Sequence, residues 1–334
     1  MALLFCLAVA ACAAPYFTPS TPSDGFTNFE TEPLRPLVMS EDGRHLYALN
    51  TFDDRLEVFA TDSDALTSLG EVRLGLRPIA LTLRRPGELW VVNHLSDSIS
   101  QVDVSDPARP VVRRTLRVGD EPRGIVAAGP DRRWIMVAAA KRGDSLTPGI
   151  GRAQIWIFDA QRPEARPQIL TLFGSKPRAL AVSPDGMTVY AGIFHSGNKT
   201  AIVGGIAAAE IGRAPLYGPG NLPQKTEVPK SGTIVHQTGG GWRDFGGGDW
   251  SQLVPFDLPD YDVGTVLFDI AVRPDDGEVW ASNTEALNLV PHEPQLRGRF
   301  VQNRITRLRR AGEHWAVQPV ELNPQVAAAA MPAP

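Results

Sequence analysis

From residue 34 to residue 322 the chain alternates short apolar runs with turn-forming polar ones. The clearest unit runs from Pro78 to Asp103. Its apolar stretches are Pro78-Ile-Ala-Leu-Thr-Leu83, Glu88-Leu-Trp-Val-Val-Asn93 and Ile99-Ser-Gln-Val-Asp103. Between them stand Arg84-Arg-Pro-Gly87 and the polar His94-Leu-Ser-Asp97. Runs of this length, rich in Val, Ile, Leu and Trp and bounded by Gly, Pro, Asp and Ser, predict strands joined by tight turns. Pro86-Gly87 suits a chain reversal because Pro presets φ and Gly tolerates φ > 0.

The same unit returns at Pro36, Pro122 and Pro177, and again at Phe268, with turns at Glu41-Asp42-Gly43, Gly129-Pro130-Asp131, Pro184-Asp185-Gly186 and Pro274-Asp-Asp-Gly277. Pro36 to Pro78 spans 42 residues and Pro78 to Pro122 spans 44. A four-stranded propeller blade takes about 40–45 residues. The pattern predicts an all-β chain: a β-propeller of four-stranded blades, about five of them recognisable, in which neighbouring sheets cover one another's faces. Trp90, Trp134, Trp156 and Trp280 recur within strands and are expected to pack between blades.

The repeat occupies residues 34–325, interrupted by an insertion at 204–262 where Gly, Pro and isolated aromatics displace the alternation. Loops this long are functional or disordered, and aromatics argue for order. Residues 15–33, rich in Pro, Ser and Thr, predict a flexible linker; residues 326–334 read as a tail that resembles the start of a further blade. Residues 1–14 form an apolar run, shorter than the roughly 20 residues needed to span a bilayer, and resemble the end of a secretory signal. Val9-Ala10-Ala11-Cys12 resembles a bacterial lipobox, which would make Cys12 a lipidated mature N-terminus. The alternative is a plain signal cleaved after an Ala. Either way the chain is expected to be exported, to the periplasm or the outer surface, and to touch a membrane only through a lipid anchor. Both cysteines lie in this segment, which leaves the folded part without a disulfide or a Cys-based metal site.

A net charge of −4 with no Lys/Arg run argues against nucleic acid as a partner. No Gly-x-Ser-x-Gly elbow, His-Glu-x-x-His pair or phosphate-binding loop is present, so no catalytic residue, metal ligand or cofactor site is assigned. The binding candidates are of two kinds. His94 and Asp97 in one turn, and His195 and Asn198 in what reads as the equivalent turn two blades later, are either polar turn residues or a shared ligand site at the channel mouth. Asx side chains bond their own backbone in such turns without any ligand. In the insertion, His236, Trp242, Arg243, Asp244 and Trp250 make a candidate binding lid, or a simple cap on the channel.

Asn93-His-Leu-Ser-Asp-Ser-Ile-Ser-Gln-Val-Asp103, followed by Val118-Gly-Asp-Glu-Pro-Arg-Gly-Ile-Val126, resembles the YVTN (Tyr-Val-Thr-Asn) family of bacterial and archaeal β-propeller repeats. Leu258-Pro-Asp-Tyr-Asp262 and Leu296-Arg-Gly-Arg-Phe-Val-Gln-Asn-Arg304 are similar to segments in the propeller part of larger secreted proteins fused to a c-type cytochrome. This chain lacks the Cys-x-x-Cys-His haem motif of those proteins. The family commonly has seven blades, so the resemblance implies an incomplete propeller of the seven-blade type and a fragment of a longer gene product. It also implies a binding or interaction scaffold of the cell envelope, presenting its channel face to a protein, redox partner or small molecule. The alternative is a lactonase-like or other metal-dependent hydrolase with its site in the channel.

Overall fold

A computed structural model of the chain describes residues 34–62, 65–142, 152–195, 199–203, 233–239, 241–244, 247–254, 264–286 and 301–324, all within the unit Pro33–Pro334. Among them the regular structure is strand, apart from one 3-10 turn at Pro130–Arg132. The first blade is β1 (Leu37–Met39), β2 (His45–Asn50), β3 (Arg55–Ala60) and β4 (Thr67–Arg73). The second is β5 (Pro78–Arg85), β6 (Glu88–Asn93), β7 (Ser98–Asp103) and β8 (Val111–Arg117). The third is β9 (Ile125–Ala128), β10 (Trp134–Ala140), β11 (Ala153–Asp159) and β12 (Gln168–Leu172). Each is an antiparallel meander in chain order.

The first strands of successive blades are neighbours, and their faces are covered in turn, as in a β-propeller. Tyr47, Leu49, Leu56 and Val58 of the first blade close on Leu81, Leu89, Val91 and Val102 of the second. Trp90, Val92 and Ile99, on the other face of the second blade, close on Ile135, Val137 and Phe158 of the third. Every residue of β6 is therefore buried, Glu88-Leu-Trp-Val-Val-Asn93, because both faces of a middle strand meet another sheet. The outer β8 keeps a strict exposed/half-buried alternation. Each fully buried aliphatic side chain contributes about 1.5–3 kcal/mol relative to exposure.

The later blades depart from the simple repeat. β13 (Ser175–Val182) and β14 (Val189–His195) start the fourth blade, and β18 (Val266–Val272), β19 (Val279–Ala286), β20 (Val301–Ala311) and β21 (His314–Glu321) make the fifth. The two are joined at one residue pair, His195 opposite Val266. The strand expected next in the fourth blade, β15 (Thr200–Val203), pairs instead with β16 (Thr233–Thr238), which pairs with β17 (Gly241–Asp244). Two strands of the insertion thus join β15 in a separate three-stranded sheet with its own core of Val203, Val235, Trp242, Trp250 and Val254. That local burial is the reason β15 leaves the blade.

The tryptophans follow the same logic. Trp90 is 0% exposed between two blades, whereas its counterpart Trp280 is 41% exposed, because no sheet among the described residues lies on that face of the fifth blade. At the axis, Arg35 donates from Nη1 to Leu180 O at 2.7 Å and from Nη2 to Ile270 O and Asp269 Oδ1. A first strand has an edge without a neighbouring strand, and this one guanidinium satisfies carbonyls of two such edges, β13 and β18.

Candidate functional site

A meander places its turns alternately at two ends. One end of the propeller collects the turns between second and third strands and the connections between blades. The other collects the turns between first and second strands.

Of the candidate turn residues, His94 and Asp97 lie at the first end. There the repeat builds a latch. Asp54, at φ 56, accepts the Arg77 backbone N–H at 2.6 Å. Asp97, at φ 47, accepts the Glu121 N–H at 3.0 Å and the Arg142 guanidinium at 2.7 Å. Each ties a turn to the connection leading into the next blade. His94 repeats the role of Thr51: Thr51 Oγ1 donates to Pro78 O at 2.7 Å, and His94 Nδ1 donates to Pro122 O at 3.1 Å. Burial lowers the His94 pKa and keeps the ring neutral, despite the Pro122 bond that favours its charged form.

His94 and His195 are not equivalent in register. Pro78 faces Asn93 while Pro177 faces Ile193, so Phe194 stands where His94 does, and His195 is one residue further along β14. Asn198 and Cys12 lie outside the described residues, as do segments 1–33 and 325–334.

The insertion residues meet one another. Asp244 is buried; its Oδ2 accepts the Trp250 indole N–H at 2.6 Å and its Oδ1 accepts the Gly248 N–H at 2.8 Å. Trp242 and Trp250 are core. His236 stands across from Arg243, which pairs with Asp249 at 3.2 Å, and burial lowers the His236 pKa. The candidates therefore divide between a structural latch and the interior and rim of a separate sheet. Among the described residues no group of three or more His, Cys, Asp or Glu converges as metal ligands would.

An axial space lies at the opposite mouth. A cavity of about 580 Å³ opens there, bordered by Met39 and Glu41 of the first blade, Thr82 of the second, Asp131 and Arg132 of the third and Asp185 of the fourth. Its wall is polar and carries both signs of charge.

Three of the turns between first and second strands share one design. Asp42 Oδ1 accepts the N–H of Arg44, Asp185 Oδ1 that of Met187 and Asp276 Oδ1 that of Glu278, each two residues on. Bonds from Ser40 and Ser183 hold the Asp42 and Asp185 carboxyls below their ordinary pKa, and Arg273 holds Asp276 down to about 2. In four of the five turns a glycine takes the left-handed position: Gly43 (φ 70), Gly87 (φ 81), Gly186 (φ 75) and Gly277 (φ 72).

In the third blade the glycine, Gly129 (φ 78), stands before the proline, and Asp131 at φ 53 and Arg132 at φ 48 are left-handed after it. A left-handed non-glycine residue costs about 1–2 kcal/mol, and such strain persists only where the surroundings impose it. Here they do. The buried Arg84 donates from Nε to Arg132 O at 3.0 Å while its Nη1 is held by Glu88 at 2.9 Å. Arg132 Nη1 in turn donates to Glu41 Oε1 at 3.0 Å, half-exposed at the cavity wall. None of Glu41, Asp131 and Arg132 was among the sequence candidates. The legible signal was the missing glycine in Pro130-Asp131-Arg132-Arg133.

No protein-family model matches the chain, and no curated protein does. Among solved structures it is similar to hydrazine synthase of Kuenenia stuttgartiensis, with TM-score 0.56 and 20% identity, over 90% of this chain and 70% of that one. It is also similar to a 6-phosphogluconolactonase-like protein of Bacteroides uniformis, with TM-score 0.50 and 16% identity, over 86% of this chain and 70% of that one. At such identities the likeness speaks for the fold alone, and it agrees with the propeller.

Proposed function

We propose that this protein is an exported binding scaffold of the bacterial cell envelope, and that it engages its partner at the mouth framed by the turns between first and second strands. The observation that carries the reading is the pair Asp131–Arg132: strained, held in place by a buried arginine, and set beside a polar cavity of about 580 Å³. A cavity between about 300 and 1,000 Å³ with a few fixed polar groups suits a small ligand or a protruding segment of a protein, including a redox partner of the kind the cytochrome-linked resemblance implies. Export rests on residues 1–14, with Cys12 as the attachment point of a lipid anchor.

The test is site-specific photo-crosslinking of the full chain, made with its own leader in a bacterial host. A photoreactive residue at Asp131 should give a defined adduct in the envelope fraction that an added Arg132→Ala removes, and the same residue at Asp53, on the opposite mouth, should give none. A cytoplasmic protein, or adducts independent of position, would contradict the proposal.

A further inference from the structure

The cleft between the first and second blades opens beside the mouth and has a different chemistry. Its volume is about 610 Å³. Leu83 and Val104 line its buried part, and Pro86 and Pro107 flank it. Gly87 lines the cleft at φ +81, and a Cβ there would come within 2.4 Å of Ser105 Oγ. The left-handed φ favours glycine there, and a larger residue would in addition have to turn the Ser105 hydroxyl away.

One phenol lines this apolar space. Tyr47 of β2 is 3% exposed and belongs to the core between the blades. Its hydroxyl makes no hydrogen bond among the described residues, and it is not sealed off from the cleft. Open to the cleft, the hydroxyl can donate to an arriving acceptor without breaking a bond inside the protein. Burial, and to a lesser degree the Asp42 charge, raises the Tyr47 pKa, so the phenol remains a donor at neutral pH.

The rim is negative. Glu41 and Asp42 border the cleft, and among the described residues no Lys or Arg lines it. Glu41 is engaged by Arg132. Asp42 Oδ1 is taken by Ser40 Oγ at 2.6 Å and the Arg44 N–H at 3.1 Å, which leaves Oδ2 for a ligand. His45 and Ser105 complete the polar edge.

We propose that this cleft binds an organic amine that also carries an oxygen acceptor. Its apolar body lies between Leu83, Val104, Pro86 and Pro107, its oxygen accepts the Tyr47 hydroxyl, and its ammonium group faces the Asp42 carboxylate. The cleft shares Glu41 and Leu83 with the axial cavity, but Tyr47 and Asp42, which would hold the amine, line the cleft and not that cavity, so the proposal does not depend on the partner proposed there.

Calorimetric titration of the full chain with tyramine tests this, with 4-hydroxyphenylacetate as the probe of the same body and opposite charge. Tyramine should bind at neutral pH, and the acid at least about tenfold more weakly. Tyr47→Phe and Asp42→Asn should each weaken tyramine about five- to tenfold, the worth of one hydrogen bond or charge contact. Tyr47→Phe should leave the melting temperature unchanged or higher, since the hydroxyl has no internal partner, which separates lost binding from a lost fold. No binding of tyramine to the folded chain, equal binding of the acid, or a Tyr47→Phe variant that binds as before would overturn the proposal.

Discussion

One side-chain unit recurs through the fold and shows how burial sets its worth. In Glu88-Leu-Trp90 and Glu278-Val-Trp280 the carboxylate accepts the indole N–H of the tryptophan two residues on, each at 2.9 Å. In the third blade, Gln154 accepts Trp156 in the same way, at 3.2 Å. Burial alone would raise the Glu88 pKa, but bonds from Trp90 and Gln101 and the Arg84 charge outweigh it, and the group is held ionised. Arg84 and Glu88 are both 6% exposed. Removing the carboxylate strands a buried guanidinium, so Glu88→Ala should cost about 3–5 kcal/mol. Glu278 is equally buried, but its cations Arg307 and Arg309 are 30% and 59% exposed and stay hydrated without it. Glu278→Ala should therefore cost distinctly less in urea unfolding, and equal losses would refute the burial argument.

Acid stability belongs to the same scale. The Ser105 N–H and then Arg113 hold Asp103 at about 2, and Arg273 does the same for Asp276. A carboxyl depressed in the folded state stabilises above its unfolded pKa and loses that contribution as pH falls through its folded one. The urea midpoint should fall between pH 3.8 and about 2, and Asp103→Asn should flatten that fall; an unchanged profile would contradict the assignment.

At the scale of elements, much of the fold was legible and the register was not. Apolar runs, Pro-Asp-Gly turns and a 42-residue step identify the blades because each depends on local chemistry. His94 and His195 look alike in sequence, but register depends on bulges, such as those between Pro78 and Ala80 and between Pro177 and Ala179, and on the pairing that follows them. The aromatics of the insertion announced order, while their roles as core depended on β15 pairing away from its blade. Tyr47 reads as an ordinary strand residue; what makes it notable is a neighbouring blade that buries its ring and leaves its hydroxyl unbonded.

The turn of the third blade gives the element-scale prediction. Asp131 is exposed and left-handed, so Asp131→Gly should relieve strain and raise stability by about 0.5–1 kcal/mol after the entropic cost of glycine. An unchanged or lower melting temperature would show that the turn stores no strain.

At the scale of the molecule, the axial cavity could not be read from a repeat, since it depends on side chains from four blades meeting across an axis. Arg35 is the residue with the widest reach: it stands next to β1 and bonds carbonyls of β13 and β18, 145 and 235 residues away in the chain. Hydrogen bonds from a charged donor contribute about 1.5–3 kcal/mol each before solvent competition, and Arg35 is one-third exposed. Arg35→Ala should cost about 2–3 kcal/mol and speed hydrogen exchange in the first strands of the fourth and fifth blades ahead of the second. Uniform acceleration would argue against a local tie.

The claim beneath all of this is that turns far apart in sequence converge on one mouth while the latch residues face the other. Dipolar spectroscopy between spin labels at Asp131 and Asp185, compared with labels at Asp131 and Asp97, reads it directly. Convergence predicts a short, narrow distribution for the first pair and a clearly longer one for the second, although Asp97 is the nearer residue in sequence. Distances in the opposite order, or broad distributions for both, would contradict the architecture and the site built on it.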